Sequence, residues 1–269
     1  MIFDTNISVY AVFGDPVSHS LSPVMHNSAF EFTGYKGVYL AFCVKNIKNA
    51  LISVKTLGIK GASITIPHKI EVMRYIEEAD EAALNIGSVN TLINNNGIIK
   101  GYNSDGLGAV SALSEKTGIR NKNVAIIGAG GAARAVGFCI MKEGGKITVI
   151  NRSTDKGERL AGDLSADYLP LNDIDKMKCD ILINTTPVGM TPHTDVTPIE
   201  RRHLEKGMVV MDIVYNPLKT RLLTEAEKAG CITIDGVSMF VHQGAFQFEL
   251  WTGIKAPVDV MKKAVLNAL

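Results

Sequence analysis

A strong charge of either sign is missing from this sequence: 28 Lys plus Arg residues face 27 Asp plus Glu residues, for a formal net charge of +1. The basic residues form no dense block, so nothing would recruit a polyanion, and nucleic acid is not an expected partner. Long apolar runs are missing too. With no stretch of roughly 18 or more apolar residues there is no candidate for a bilayer-spanning helix, and no membrane partner is expected. The start of the chain lacks the cationic segment and apolar run of a secretory leader; its first basic residue is Lys36. Cysteine is scarce: Cys43, Cys139, Cys179 and Cys231 lie far apart with no CxxC pair, and the six histidines show no HExxH spacing. These absences speak against a disulfide frame and a metal site. The expectation is buried, reduced thiols in a cytoplasmic protein.

What is present is ordinary globular material: 269 residues, 46% of them hydrophobic, enough for two cores. The run Val9–Phe13 predicts a strand, ended by Gly14-Asp15-Pro16. Ser22-Pro23 reads as an N-cap followed by proline at the first helical position, opening a helix to about Phe32. Strands are expected at 38–44, 61–66, 89–93 and 98–101, and helices at 47–57 and 70–84. The last two strands flank Asn95-Asn96-Gly97, a hairpin signal because Asn-Gly tolerates positive φ. That hairpin departs from pure β-α alternation and predicts a mixed sheet.

After a helix from Leu107 to Thr117 the alternation becomes regular. Strands are expected at 124–127, 146–150, 181–184, 209–213 and 232–234, and helices at 132–142 and 156–164. Residues 237–269 read as helical. This is the pattern of a doubly wound parallel sheet. The fold class expected is α/β, with two domains that divide near Asp105, a mixed-sheet domain first and a Rossmann-type domain after it, and a C-terminal helical tail whose side the pattern does not fix.

Gly128-Ala129-Gly130-Gly131-Ala132-Ala133 follows the strand at 124–127 directly and opens a helix. The first glycine makes the tight turn, the second lets backbone approach a pyrophosphate, and the small Ala133 lets the helix pack on the strand. The bland alternative is a glycine-rich turn with no ligand. The next strand ends in Asn151-Arg152-Ser153, with Lys156 one turn on, where NAD sites carry a carboxylate for the ribose 2′-OH. Arg152 and Lys156 can pair with a 2′-phosphate, so NADP is the expected cofactor. A solvated pair of surface cations is the alternative.

Polar chemistry clusters in the first hundred residues at Ser18-His19-Ser20-Leu21-Ser22-Pro23, Thr65-Ile66-Pro67-His68-Lys69 and Asn90-Thr91, and just beyond them at Asn103-Ser104-Asp105-Gly106. Bland readings exist for each: Ser22 as a cap, Lys69 as a surface charge, Asp105 as a helix cap. Taken in order with Asn184-Thr185-Thr186-Pro187, Asp212-Ile213-Val214-Tyr215-Asn216-Pro217 and Asp235-Gly236 through Gln243-Gly244-Ala245, these segments resemble the shikimate dehydrogenases, from Tyr10 to Trp251. Ser104 stands where threonine is commoner.

The resemblance implies reversible reduction of 3-dehydroshikimate to shikimate by NADPH, within chorismate and aromatic amino acid biosynthesis. It implies that Ser20, Ser22, Thr65, Asn90, Asp105 and Gln243 hold the ring hydroxyls and carboxylate. Lys69 would sit at the reacting oxygen with Tyr215 nearby, and Asp105 would orient Lys69 or grip a hydroxyl. Thr186, Ile213, Gly236 and Met239 would join the cofactor side. In the family the C-terminal helices return to the first domain, which implies a substrate domain of residues 1–104 and 238–269 and a Rossmann-type NADP domain of residues 105–237, with Gln243, and Gln247 one turn later, on the substrate side. The expected partner is a small molecule, with a homodimer left open. Two alternatives remain: a quinate/shikimate dehydrogenase, and a non-catalytic NADPH-binding regulator.

Overall fold

The computed structural model describes residues 5–269, which divide into two compact units. The first comprises residues up to Ser104 together with Gln243–Ala268; the second comprises Asp105–His242 and the last residue.

In the first unit the chain runs β1 (Ser8–Gly14), α1 (Ser22–Thr33), β2 (Gly37–Cys43), α2 (Ile47–Thr56), β3 (Gly61–Ile64), β4 (Glu78–Ala79), α3 (Glu81–Ile86), β5 (Thr91–Asn95) and β6 (Ile98–Tyr102). The strand order is β2-β1-β3-β5-β6-β4. β1 pairs in parallel with β2 and β3, whereas β5 runs antiparallel to both β3 and β6, giving the expected mixed sheet. Asn96 (φ 53°) and Gly97 (φ 95°) make the β5–β6 turn, and Asn94 Oδ1 accepts the Gly97 N–H at 2.8 Å. Capping sets the helix starts: Asn46 accepts from Asn49 N and Asp80 from Ala83 N. The core on one side of the sheet gathers Ala11, Phe13, Leu51, Ile64, Val89 and Ile99.

Two expectations fail here. The helix predicted at 70–84 is instead a short 3₁₀ turn at Glu71–Arg74, strand β4 and the six-residue α3. Glu77 explains the break: its carboxylate accepts the Ile99 N–H at 2.8 Å and pairs with Lys55, which pulls β4 onto β6. Ser22 is not the N-cap of α1. Leu21 holds that position without a side-chain cap, and Ser22 is already helical.

The second unit runs α4 (Asp105–Ser114), β7 (Asn123–Ile127), α5 (Gly131–Lys142), β8 (Lys146–Asn151), α6 (Thr154–Asp163), β9 (Asp167–Pro170), β10 (Ile181–Asn184), β11 (Val209–Asp212), α7 (Arg221–Ala229) and β12 (Ile232–Ile234). All six strands are parallel, in the order β12-β11-β10-β7-β8-β9. The direction of winding therefore reverses between β7 and β10, and the carboxyl ends there are the usual ligand position of such sheets. The edge strand β9 was not expected from the sequence.

The C-terminal stretch is helical as expected, in two helices, α8 (Gly236–Thr252) and α9 (Val258–Ala268). α8 passes from the second unit into the first at His242–Gln243. Cysteine burial also departs from expectation: Cys139 is buried, Cys43 is exposed, and Cys179 and Cys231 are half-buried, none of the four in a disulfide. No helix of the described residues is long and apolar enough to cross a membrane.

Candidate active site

In the first unit a set of polar side chains is buried where apolar ones would otherwise pack. Asn90, Thr91, Ser104 and Gln247 are each 2% exposed or less. Burying such groups is costly unless each finds a partner, and here each does. Asn90 Oδ1 accepts the Ser104 N–H at 2.8 Å and the Thr91 hydroxyl at 2.7 Å, while Asn90 Nδ2 donates to Ser104 Oγ at 3.0 Å. Gln247, reaching in from α8, accepts from Ser63 Oγ at 2.7 Å and donates to Thr91 Oγ1 at 2.9 Å. Ser63 in turn accepts the Tyr39 hydroxyl at 2.6 Å. Ser104 Oγ donates to Gln243 Oε1 at 3.3 Å. Burial drives the Tyr39 phenol above its ordinary range, opposed by its bonds to Ser63 and Ser22. Ser22, Asn90 and Gln243 thus belong to one connected network.

Asn90 precedes β5 and does not lie inside it; its backbone N–H is held by the Tyr102 carbonyl. Ser20 Oγ accepts the Ser22 N–H at 3.3 Å, so its hydroxyl shapes the loop ahead of α1. Thr65 and Lys69 stand beyond the carboxyl end of β3, both half-buried, with the Lys69 carbonyl accepting from Val89 N at 2.9 Å. Asp105 is the first residue of α4 and is buried.

His26 is fully buried, stacked on Tyr39 with ring centroids 4.5 Å apart, and neither ring nitrogen has a hydrogen-bond partner among the described residues. Burial lowers its imidazole to about 3; nearby Gln247 opposes this in part, without forming a hydrogen bond to the ring. His26 is therefore neutral at physiological pH.

In the second unit the glycine loop leaves β7 with Gly128 at φ +115°, a conformation side chains avoid; a Cβ there would also lie 2.6 Å from Thr185 Oγ1. Gly130 and Gly131 face open space, and the helical N–H groups of α5 begin at Gly131. Ala129 and Ala132 are half-buried, and Ala133 is fully buried against the sheet. This cradle fits a dinucleotide pyrophosphate.

β8 ends at Asn151, whose side chain donates to the Ser153 carbonyl at 2.8 Å and turns the chain into α6. Arg152, Ser153 and Lys156 are exposed around that turn, and no carboxylate occupies the strand tip. Thr186 and Ile213 follow the tips of β10 and β11, where Ile213 N donates to the Asn184 carbonyl at 3.1 Å. Gly236 is pressed on the Val214 carbonyl, with no room for a Cβ. Met239 is buried one turn on, and Tyr215 packs on Phe240 with centroids 5.0 Å apart.

Sequence reasoning passed over Tyr39, Ser63 and His26. The available signal was a polar residue inside an otherwise apolar buried strand or helix face, as with Ser63 in β3.

Comparison with known proteins agrees with both halves. Residues 12–92 match the shikimate dehydrogenase substrate binding domain, residues 111–238 the shikimate / quinate 5-dehydrogenase model, and residues 236–266 the shikimate 5'-dehydrogenase C-terminal domain. A shikimate dehydrogenase (NADP(+)) of Methanococcus maripaludis strain C7 is 47% identical over 275 residues, covering 98% of each chain. A solved shikimate dehydrogenase in complex with NADP+ is 43% identical with a TM-score of 0.95, covering 99% of this chain and 97% of that one. The Thermus thermophilus enzyme in complex with NADP(H) and shikimate is 32% identical with a TM-score of 0.93, covering 98% and 100%. With full-length identity at this level across both compact units, the chain belongs to the shikimate dehydrogenase family.

Proposed function

We propose that this protein is an NADP-dependent shikimate dehydrogenase, catalysing the reversible reduction of 3-dehydroshikimate to shikimate on the route to chorismate and the aromatic amino acids. The observation that carries this reading is the family likeness extending over both units at 47% identity with 98% coverage of each chain. The chemistry of each unit supports it. A polyhydroxylated ring acid offers many donors and acceptors and little apolar surface, and the first unit supplies short polar side chains held by one another.

In this reading Ser20, Ser22, Thr65, Asn90 and Gln243 bind the ring carboxylate and hydroxyls, and Asp105 grips a further hydroxyl. Two serine hydroxyls at the start of α1 combine donors with the positive end of the helix dipole, which suits the carboxylate. Bound NADPH supplies the hydride to the carbonyl carbon. Lys69 stabilises the charge that builds on the carbonyl oxygen and delivers the proton to it; in the oxidation direction the same nitrogen receives that proton. Tyr215 lies near the reacting ring.

Gly128, Ala129, Gly130, Gly131 and Ala132 would hold the pyrophosphate, and Asn151, Arg152, Ser153 and Lys156 the ribose 2′-phosphate. Thr186, Ile213, Gly236 and Met239 would frame the nicotinamide. A cytoplasmic setting belongs to this reading and agrees with four cysteines outside any disulfide. The test is to mix the purified protein with 3-dehydroshikimate and NADPH. NADPH oxidation matched by an equal yield of shikimate is expected, and no oxidation would refute the reading.

A further inference from the structure

Asp212, the last residue of β11, has no exposed surface, and it is the acceptor of three hydrogen bonds. Its Oδ1 accepts from Asn184 Nδ2 at 2.9 Å and from the Val214 N–H at 3.1 Å, and its Oδ2 accepts the Thr220 hydroxyl at 2.7 Å. Desolvation pushes its carboxyl up to about 6, against the opposing pull of these three donors, and a site that presents only donors to its two oxygens suits the carboxylate form. An ionised carboxylate can only accept. Asn184, at the tip of the neighbouring strand β10, must therefore turn its amide nitrogen toward Asp212 and its oxygen away. That oxygen accepts both the Thr186 N–H at 3.0 Å and the Thr186 hydroxyl at 2.7 Å.

We propose that Asp212 is a positioning residue for cofactor binding, acting through Asn184 to fix the Thr186 loop. The inference rests on the proposed function, in which Thr186 borders the cofactor. With its proton committed to Asn184 and one lone pair taken by the Val188 N–H at 3.3 Å, the Thr186 hydroxyl offers a ligand a single acceptor site. It therefore suits a ligand N–H, such as that of a carboxamide, and not a carbonyl or phosphate oxygen. The same carboxylate ties down Val214, whose carbonyl Gly236 approaches closely. One buried group thus sets two loops at the carboxyl edge of the sheet.

The test measures NADP+ and shikimate binding by calorimetry, with melting temperature recorded for each variant. Asp212→Leu removes every acceptor at similar size and should weaken NADP+ by roughly tenfold or more, about the value of one oriented hydrogen bond. Shikimate affinity should change less than about twofold. Asp212→Asn should restore NADP+ binding to within about threefold of the parent. Its amide oxygen can still face Asn184 while its nitrogen faces the Thr220 oxygen. Thr220→Val cuts the third bond and the α7 cap, so it should lower the melting temperature yet leave NADP+ affinity nearly unchanged.

Combining Asp212→Leu with Thr186→Val should add little beyond the larger single effect. Should Asp212→Leu not fold, Asn184→Ala breaks the relay at its middle and should give the same selective NADP+ loss. Unchanged NADP+ binding in these variants, equal weakening of both ligands, or a Thr220→Val loss as large as that of Asp212→Leu would overturn the proposal. Failure of the unaltered protein to bind NADP+ would instead refute the proposed function and this inference with it.

Discussion

Gln247→Leu is the substitution whose consequences the structure defines most fully. The side chain is 1% exposed and stands between Ser63 and Thr91 at 2.7 and 2.9 Å, with longer contacts of 3.4 Å to the Asn90 carbonyl and Ser104 Oγ. Leucine fills similar space, so no large cavity opens and the loss is polar. Two good neutral hydrogen bonds contribute about 0.5–1.5 kcal/mol each. The Ser63 proton is stranded as well, because its acceptor is gone while Tyr39 still donates to its oxygen. The sum is roughly 2–4 kcal/mol. For a unit of about 130 residues this corresponds to a fall of roughly 6–20 °C in melting temperature. Asn90 and Ser104 lose a neighbour that helps fix them, so the KM for shikimate should rise severalfold while NADP+ binding holds. Thermal unfolding by circular dichroism and steady-state kinetics provide the two readouts. A fall below about 2 °C with an unchanged KM would mean the network is not what orders this site. Equal loss of NADP+ affinity would indicate general misfolding.

Arg152→Ala should weaken NADP+ by about 10- to 150-fold, the loss of one charged contact of roughly 1.5–3 kcal/mol, and leave NAD+ binding nearly unchanged; equal effects on both would remove the 2′-phosphate assignment. Lys69→Ala should lower kcat by roughly 10²–10⁴ with much less effect on shikimate affinity measured by calorimetry. If more than about a tenth of kcat survived with chemistry rate-limiting, Lys69 would be a binding group only. His26 gives a pH test. Its folded value of about 3 lies below the ordinary 6.5, so the unfolded chain takes up a proton that the folded one refuses, and stability drains away as pH falls below 6.5. Between pH 7 and 5 this single site should cost roughly 2 kcal/mol. Urea unfolding of the parent and His26→Gln at both pH values should show that much less loss in the variant, and parallel losses would contradict a buried neutral imidazole.

Much of the second unit could be read in the sequence because its strands are buried on both faces and its helices are short and well punctuated. The run Val124–Ile127, the glycine cradle and the strand tip at Asn151 all fall where their pattern places them. β9 escaped notice because it has only four residues, ends in Pro170 and lies at the sheet edge, where pairing with β8 and not local preference makes it a strand. The segment 70–84 misled for a related reason. Its apolar spacing suits a helix, but Glu77 and the pairing of Ala79 with Gly101 commit it to the sheet. Within the site, Asn90 was visible as a polar interruption of an apolar strand, and Gln243 only through the motif it shares with the family. Tyr39, Ser63 and Asp212 were less so, since their roles depend on partners distant in the chain: Ser63 and Gln247 are 184 positions apart. Cys43 sits on an edge strand and keeps its thiol in solvent, bonded to Asp15, which no count of cysteines could foresee.

An NADP-selective cradle and a shikimate-binding network in one enzyme should make one substrate–cofactor pair the preferred one. Initial rates for shikimate and for quinate, each with NADP+ and with NAD+, test it most directly. kcat/KM should be highest for shikimate with NADP+ and fall at least about tenfold when NAD+ is substituted, the loss of one charged contact. Turnover of quinate as fast as shikimate, a preference for NAD+, or no reduction of either cofactor would contradict it.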